Sequence, residues 1–364
     1  MPKNLVGIDI GSDQIKLALV KKGQVKKVAI EAVPENVVKE GQVVSVETMA
    51  DLIKTTMKKN GIKASEACVV LSSDNIYTRN VVMPIMNHDQ LLYNLPFEFK
   101  DYITNDLKDY IFDYAMISTP EELTAALARK EADEKAKDSG EEKKEDVYGM
   151  DSGYDDSGYS MELTAVVAPK ELIYDMQLMC HKAGLHMFKA APPISAFAAI
   201  IRHYEKVNNL EGPGDEYCIL DMGYRNIRMY MYKDDSHNVT KIIDIGLSSV
   251  DAVIADTYNV DIHLAHTYLL TNHDGCLNSE VCANAFNNIA VELMRALRFY
   301  KFSNPESTLE DIWVCGGGST IEPLRVAVSE LLEMNIHPAM DLLADLNINP
   351  EYNNFLLAIG MTLD

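Results

Sequence analysis

The feature that most constrains the fold of this 364-residue chain is a repeated pattern of strand, Asp-x-Gly, polar turn and strand. The first copy, Asp9-Ile10-Gly11, lies between the β-rich runs Leu5 to Ile10 and Ile15 to Val20, a spacing typical of a β-hairpin. The second copy, Asp221-Met222-Gly223, begins 212 positions later. An internal repeat on this scale predicts two related domains that face each other.

The first turn has the composition of a phosphate-binding site. Gly11 lets the backbone approach an anion closely, and the amides of Ser12 and Asp13 can converge into a concave anion site. A carboxylate beside phosphates is useful through a Mg²⁺ ion or its waters. We therefore predict that Asp9 and, in the second copy, Asp221 are magnesium ligands.

The second turn is predicted to close on the other side of the same phosphates through Gly223, Tyr224 and Arg225. Tyr224 and Arg225 have large side chains, so they could either bind a phosphate or block its access. Lys16, on the strand after the first turn, could offset phosphate charge or point to solvent. The residues alone do not decide between these alternatives, either for the second turn or for Lys16.

A third element carries three consecutive glycines. A predicted strand, Ile312 to Cys315, runs into Gly316, Gly317 and Gly318, and an amphipathic segment, Ile321 to Met334, follows. Glycines here would let a flat base and ribose lie against bare backbone, and the start of the following helix favours nearby negative charge. We interpret this element as the adenosine side of a nucleotide site.

The three motifs, in this order, resemble those of the actin-like ATPase superfamily, which includes actin, Hsp70, sugar kinases and FtsA. The resemblance implies an α/β fold in which a ribonuclease H-like unit is duplicated into two lobes, with ATP and Mg²⁺ bound between them. It also implies that Glu292 and Arg295 hold the ribose and stack on adenine. From spacing alone, this pair on one helix face could equally be a surface ion pair.

Within the superfamily the chain resembles the PilM family of type IV pilus assembly proteins. The resembling segments include Arg79 to Pro84, Ala168 to Leu185 and Glu292 to Tyr300, besides the glycine motifs. This resemblance implies a partner, the cytoplasmic N-terminal peptide of a PilN-like single-span membrane protein. The peptide would bind in a groove between the first-lobe core and an inserted subdomain, with contacts from Val81 to Tyr102.

The motifs and the composition together divide the chain into seven parts. The first-lobe core is predicted at 1–83 and 166–212, with the inserted subdomain at 84–165 between them. The second lobe is predicted to have its core at 213–250 and 311–337, with an outer subdomain at 251–310. Residues 338–364 are expected to return to the first lobe, which includes a predicted helix from Tyr352 to Gly360.

Several local signals predict individual elements. Asn87 or Asp89 is expected to cap a helix that runs to about Tyr102, and Pro96 should bend or interrupt that helix. The Ala- and Ile-rich segment from Pro193 to Tyr204 predicts a helix buried between sheets. The segment around 208–215, with Gly-Pro-Gly, is predicted to be the linker between the two halves.

The net charge of −22 argues against a nucleic-acid surface and against direct binding to anionic lipids, because both would repel the chain. No apolar run approaches the roughly 20 residues of a transmembrane helix. We therefore expect a cytoplasmic protein that reaches the inner face of the membrane through a partner. Six cysteines without a Cys-x-x-Cys spacing indicate reduced, buried thiols.

Part of the negative charge is concentrated at 120–160, which contains 13 acidic and 6 basic residues. This composition predicts a solvated, mobile loop, with an acidic docking tail as the alternative. His263, His266 and His273 suggest a metal site, but no further ligands complete a tetrahedral set. Nothing in the sequence identifies a catalytic residue.

The predicted function is an ATP-binding platform with slow turnover or none, because no side chain for orienting an attacking water is evident. Two alternatives remain from the sequence alone. The first is a small-molecule kinase of the same superfamily, which needs a catalytic Asp over a substrate hydroxyl. The second is a degenerate scaffold without nucleotide, which the altered second turn favours.

Overall fold

The computed structural model describes residues 4–39, 41–71, 76–119, 121–128, 160–210, 215–233, 236–346 and 348–363. The chain divides into two compact units. The larger unit comprises Met1–Asn75 and Tyr174–Asp364, and the smaller unit comprises Ile76–Ile173. Each is described below by itself.

The larger unit contains two five-stranded sheets and a small two-stranded ribbon. The strands of the first sheet are β1 (Leu5–Ile10), β2 (Gln14–Lys21), β3 (Gln24–Ala32), β6 (Glu66–Val70) and β10 (His186–Ala191). The ribbon pairs β4 (Val38–Lys39) with β5 (Gln42–Val43). The strands of the second sheet are β11 (Glu216–Met222), β12 (Ile227–Lys233), β13 (Ser236–Ile243), β14 (Asp311–Cys315) and β15 (Asn335–Pro338).

The helices of the larger unit surround and separate these sheets. They are α1 (Val46–Lys59), α5 (Pro193–Asn208), α6 (Leu247–Tyr258), α7 (Ile262–Thr271), α8 (Glu280–Ser303), α9 (Glu322–Leu332) and α10 (Leu356–Gly360), together with most of α4 (Lys170–Ala183), which begins in the smaller unit. In the described part of this unit, 3-10 helices accompany them at His273–Asn278, Gly317–Thr320, Ala339–Leu346 and Pro350–Phe355. None of the helices in the described ranges combines the length and the apolar content that a membrane crossing requires.

The two sheets repeat one topology. The first has the order β3-β2-β1-β6-β10 and the second the order β13-β12-β11-β14-β15. In both, three antiparallel strands are followed by two parallel strands, since β1 pairs with β6 and β11 pairs with β14 in parallel. The predicted hairpins are therefore present, and the predicted duplicated α/β fold is confirmed.

The two sheets share a core that includes α5 and α10. Ile200 and Phe197 of α5 are fully buried, and they belong to the same hydrophobic cluster as Ala18 of the first sheet and Ile219 of the second. This confirms the prediction that the segment starting at Pro193 is a buried helix. A second cluster packs the other face of the second sheet against α6, α7, α8 and α9.

The C-terminal segment closes this core. The predicted helix from Tyr352 to Gly360 is instead a 3-10 helix, Pro350–Phe355, followed by the short helix α10. The backbone of α10 lies directly on β1, because a Cβ built on Gly7 would lie 1.7 Å from the carbonyl oxygen of Ala358. Because no side chain fits between β1 and α10 here, β1 needs a glycine at position 7.

The smaller unit is a three-stranded antiparallel sheet with the order β7-β9-β8, covered by helix α2. Its strands are β7 (Tyr77–Pro84), β8 (Tyr110–Met116) and β9 (Ser160–Pro169). Its described helices are α2 (His88–Glu98), α3 (residues 121–128) and a 3-10 helix at Leu107–Asp109. Asn87 is one of the two predicted caps, and its side chain accepts a hydrogen bond from the Gln90 amide as part of a capping box. The prediction that α2 reaches Tyr102 is wrong, since it ends at Glu98, two residues after Pro96.

Two sequence predictions extend beyond the described residues. Within the predicted acidic loop at 120–160, residues 121–128 are helical and residue 160 begins β9, while 120 and 129–159 lie outside the described residues. Residues 211–214 of the predicted linker also lie outside them. The mobility of the loop and the seven-part division of the chain stay predictions.

Candidate functional site

A cavity of about 250 Å³ in the larger unit brings the predicted motifs together. Its lining includes Gly11, Ser12 and Asp13 of the first turn and Gly223, Tyr224 and Arg225 of the second. Asp9, Lys16, Asp221, Gly316 and Gly317 complete the set of predicted residues that line it. Motifs more than 200 positions apart therefore meet at one place.

The cavity floor carries two carboxylates, each opposite a basic residue on the neighbouring strand. Asp9 of β1 is the register partner of Lys16 on β2, and Asp221 of β11 is the register partner of Arg228 on β12. The Lys16 ammonium lies 3.5 Å from the Asp9 carboxylate, and both side chains are largely buried. The duplicated hairpins thus place the same pair of charges in the site twice.

The site shifts the pKa values of Lys16 and Asp221. Burial disfavours the charged form of Lys16, but the attraction of Asp9 and Asp221, with a contribution from Cys315, outweighs it, so the pKa of Lys16 is raised. Burial also raises the pKa of Asp221, against the opposing attraction of Lys16 and Arg228. The carboxylates and cations at the floor therefore form one coupled electrostatic group.

The second turn is attached to the start of α6. The amide of Leu247 donates to the Gly223 carbonyl at 3.3 Å, and the amide of Ser248 donates to the Tyr224 carbonyl at 2.9 Å. Gly246 makes this approach possible, since a Cβ there would lie 2.5 Å from the Tyr224 carbonyl oxygen. The position of Tyr224 and Arg225 is thus fixed by a helix start.

The glycine triplet lies against the second turn. Gly316 has a φ of +80°, and a Cβ on it would lie 2.4 Å from a carboxylate oxygen of Asp221. Gly317 faces open space, because its Cβ would meet only Leu247, at 3.7 Å. Gly318 is buried against Met222 and does not belong to the cavity lining.

Glu292 and Arg295 are not brought to this cavity. They lie on α8, where the Arg295 guanidinium donates to the Glu292 carboxylate, and both side chains are exposed. Neither belongs to the lining. Their contribution to a ribose and base site therefore stays a prediction, and the ion pair they form is the arrangement expected from spacing alone.

Sequence reasoning missed Arg228 and a polar group around His266. Adding the repeat spacing to Lys16 would have found Arg228, since Arg228 lies 212 positions after it. His266 of α7 contacts Asp251 of α6 through Nδ1 at 2.8 Å, and its ring lies edge-on to Tyr224. Only the tertiary structure brings these residues together.

The three histidines considered as metal ligands are used separately. His263 pairs with Glu35 on the surface, and His273 stacks on Tyr268 with ring centroids 4.0 Å apart. His266 lines the cavity. Among the described residues, no three His, Cys, Asp or Glu side chains are arranged so that they could hold a metal ion. All six cysteines are buried, as predicted, and no disulfide joins them.

Duplicated five-stranded sheets that present matched Asp-x-Gly hairpins to one cavity define the actin-like ATPase fold. A more specific assignment follows from the sequence. The chain belongs to the family of the type IV pilus assembly protein PilM, whose family model matches residues 7–143 and 155–363.

Solved structures share the fold of this chain. The chain is similar to a protein of a PilM-PilN type IV pilus biogenesis complex, with a TM-score of 0.73 and 17% identity over 98% of this chain and 97% of that one. It is also similar to the ethanolamine utilization protein EutJ from Carboxydothermus hydrogenoformans, with a TM-score of 0.55 and 12% identity over 100% and 90% of the two chains. No curated protein matches the sequence.

Proposed function

We propose that this chain binds ATP with Mg²⁺ in the cavity between the two sheets and acts as a nucleotide-dependent platform in type IV pilus assembly. The observation that carries the proposal is that both Asp-x-Gly turns and the glycine triplet line one cavity. The family to which the chain belongs supplies the cellular context.

The charge of the cavity supports an anionic ligand. The lining contains three acidic residues, Asp9, Asp13 and Asp221, and three basic residues, Lys16, Arg225 and Arg228. His266 adds a further positive charge when it is protonated. The cavity is therefore close to neutral or slightly positive in a chain of net charge −22, which favours phosphate there over most of the surface.

The residues present fit a nucleotide and its metal ion. Among the described residues, cavity side chains with a buried polar atom that lacks a hydrogen-bond partner include Tyr230, His266 and Asn354. Asp9 and Asp221 supply the hard oxygen atoms that Mg²⁺ prefers, and this ion is commonly held by one or two carboxylates together with substrate phosphates. When bound, Mg²⁺ would neutralise phosphate charge.

Nucleotide binding is tested by titrating the purified chain with a fluorescent ATP analogue and Mg²⁺. The matched variants are Gly317→Val, which fills open space in the cavity, and Ser329→Val, which adds the same side chain to the exposed face of α9. We expect Gly317→Val to weaken binding at least about ten-fold, a loss of about 1.4 kcal/mol, and Ser329→Val to leave it unchanged. Equal binding by both variants, or none by the unmodified chain, would refute the proposal.

We further propose that the partner is the cytoplasmic N-terminal peptide of a PilN-like single-span membrane protein. The similar solved structure is of a PilM-PilN complex, which supports this choice of partner. The chain would then act in the cytoplasm, at the inner face of the membrane, and reach that face through the partner.

The smaller unit offers a surface suited to such a peptide. Tyr93 and Phe97 of α2 are 74% and 61% exposed, and Tyr102 shortly after it is 54% exposed. The guanidinium of Arg79 lies 4.8 Å from the Tyr102 ring centroid. Exposed aromatic groups of this kind mark interaction sites, and these lie within or next to the stretch expected to contact the peptide, Val81 to Tyr102.

Peptide binding is tested by calorimetry with a synthetic peptide of the N-terminal residues of the partner from the same organism. Phe97→Ser should weaken binding about ten-fold or more, as expected for an aromatic anchor. Phe302→Ser, a change at an 84% exposed phenylalanine of α8, and a scrambled peptide are the controls. Undiminished binding by Phe97→Ser would remove this surface from the proposal.

A small-molecule kinase is the second candidate, and it is separated by a different measurement. Release of ADP that depends on an added sugar or polyol would indicate the kinase. Slow release, or none, irrespective of such acceptors agrees with a platform whose binding energy serves closure rather than turnover. A nucleotide-free scaffold would show no binding at all.

A further inference from the structure

His266 occupies a position between the two phosphate turns. Its ring is fixed on one side by the Nδ1 contact to Asp251, a carboxylate with no exposed surface. On another side the ring of Tyr224, from the second turn, meets it at 5.1 Å between centroids and an angle of 84°. These two contacts hold the imidazole in one orientation.

The other ring nitrogen, Nε2, points toward the first turn. It lies 3.5 Å from the Asp13 carboxylate, which is longer than a normal hydrogen bond. Nε2 is buried and has no hydrogen-bond partner among the residues that the structure describes. A buried donor whose nearest acceptor lies 3.5 Å away is incompletely satisfied, so this nitrogen is suited to a ligand that supplies a closer oxygen.

The charge of His266 suits an anion. The neighbouring Asp13 carboxylate, and then Asp251, raise the pKa of His266 to about 9 against the opposing effect of burial. Tyr224 packs against the ring, and its pKa is raised by burial and by the same carboxylates. At neutral pH the ring is therefore an imidazolium with both nitrogens protonated.

We propose that His266 is a ligand of the phosphate chain of a bound nucleotide, and that the phosphate takes the place beside Nε2 that Asp13 holds in the nucleotide-free chain. The inference rests on the proposed nucleotide site. A phosphate seated on the turn from Gly11 to Asp13 lies within reach of Nε2, because the side chain of that turn already approaches it. Asp251 acts as a positioning residue, since it holds Nδ1 and not the phosphate.

The proposal makes opposite predictions for the two carboxylates. Asp13→Asn removes a negative charge that competes with phosphate but leaves the turn amides in place, so ATP should bind a few-fold more tightly. Asp251→Asn releases the ring and should weaken ATP binding. If Asp13 and Asp251 had a purely structural role, both substitutions would weaken ATP binding or leave it unchanged.

The principal test compares ATP, ADP and AMP binding by the unmodified chain and by His266→Gln. A hydrogen bond to a charged group corresponds to about ten-fold or more in affinity, so His266→Gln should lose about ten-fold for ATP and little for AMP. The control is His263→Gln, which removes a histidine from the same helix that pairs with Glu35 at the exposed surface. An equal loss for all three nucleotides, or no loss, would overturn the proposal.

A second measurement separates this proposal from the nucleotide site itself. The imidazole signals of His266 are followed by NMR in the nucleotide-free chain, with inorganic tripolyphosphate as the probe and His266→Gln for assignment. We expect His266 to titrate near pH 9, to titrate at lower pH in Asp13→Asn, and to shift on addition of tripolyphosphate.

The outcomes of the two measurements are distinguishable. If tripolyphosphate shifts His266 but no nucleotide binds, the phosphate role stands and the proposed nucleotide function fails. If the unmodified chain binds ATP while tripolyphosphate leaves His266 unchanged and His266→Gln retains full affinity, the nucleotide site stands and this proposal fails.

Discussion

At the scale of single residues, the site is organised by cross-strand charge pairs. Asp9 with Lys16 and Asp221 with Arg228 occupy equivalent register positions in the two hairpins. In each pair a carboxylate that would otherwise be buried without a counterion has a cation on the adjacent strand. Because unpaired buried charge is expensive, the pairs stabilise the site in the absence of a ligand.

Lys16→Gln tests this account. The change leaves Asp9 and Asp221 with one cation fewer, so we expect the free energy of unfolding to fall by about 1–3 kcal/mol and the affinity for ATP to fall as well. Urea unfolding and nucleotide titration measure the two effects. The control Lys26→Gln, on the exposed part of β3, should change neither the free energy of unfolding nor the affinity for ATP. If Lys16→Gln were as stable as the unmodified chain, the stabilising role of the Asp9–Lys16 pair would be contradicted.

The raised pKa of His266 predicts that the free energy of unfolding depends on pH. The pKa of His266 in the folded chain, about 9, lies above the ordinary value of about 6.5. Its contribution to stability is therefore complete below the ordinary value and is lost as the pH rises through about 9.

The measurement is the difference in the free energy of unfolding between the unmodified chain and His266→Gln, taken from pH 6 to pH 10. We expect this difference to shrink toward high pH, while other titrating groups cancel because both chains contain them. A difference for His266→Gln that stays constant across this range would show that the ring is not charged in the folded chain.

At the scale of elements, close backbone approaches position the motifs. β1, which leads into the first turn, packs against α10 at Gly7 without room for a side chain, and α6 approaches the second turn at Gly246. The first Asp-x-Gly turn is thus set by contact with a helix from a distant part of the sequence, and the second by the helix that begins at Leu247. The turns owe their position to packing as much as to their own residues.

Gly7→Ala tests the contact between β1 and α10. The added Cβ would lie 1.7 Å from the carbonyl oxygen of Ala358, and backbone cannot yield as a side chain can. We expect a loss of about 3 kcal/mol or more in the free energy of unfolding, measured by urea denaturation. Gly317→Ala is the matched control, since its Cβ would meet only Leu247 at 3.7 Å.

At the scale of the whole molecule, the proposed function places two ligands on one chain. The nucleotide would bind to the larger unit and the peptide is proposed to contact the smaller unit, so a platform that depends on nucleotide requires the two binding events to be coupled. Coupling free energies are reciprocal, because each ligand changes the affinity for the other by the same factor.

Calorimetry can measure this coupling in both directions. We expect ATP with Mg²⁺ to change peptide affinity by about five-fold or more, and saturating peptide to change ATP affinity by the same factor and with the same sign. Gly317→Val should abolish the effect of ATP on peptide binding but leave peptide binding by the nucleotide-free chain intact. Identical affinities with and without the second ligand would mean that the platform does not depend on nucleotide.

Much of the fold and of the site was predictable because its signals are local. A strand followed by Asp-x-Gly and a polar turn, repeated 212 positions later, predicts two hairpins by turn chemistry alone, and a run of three glycines predicts a close backbone approach. The Asn87 cap depends only on residues within one helical turn. The length of α2 was less predictable, because tertiary context decides where a helix ends near a proline.

The sequence by itself determined the duplicated hairpins, the glycine turn and the class of the fold, since each follows from residue order and short-range backbone preference. Only the tertiary structure decided that Asp13, His266 and Asp251 form one group and that Glu292 and Arg295 lie outside the cavity lining. The physical reason is that charge pairing and packing across elements depend on distances in space, which the spacing of residues along a chain does not specify.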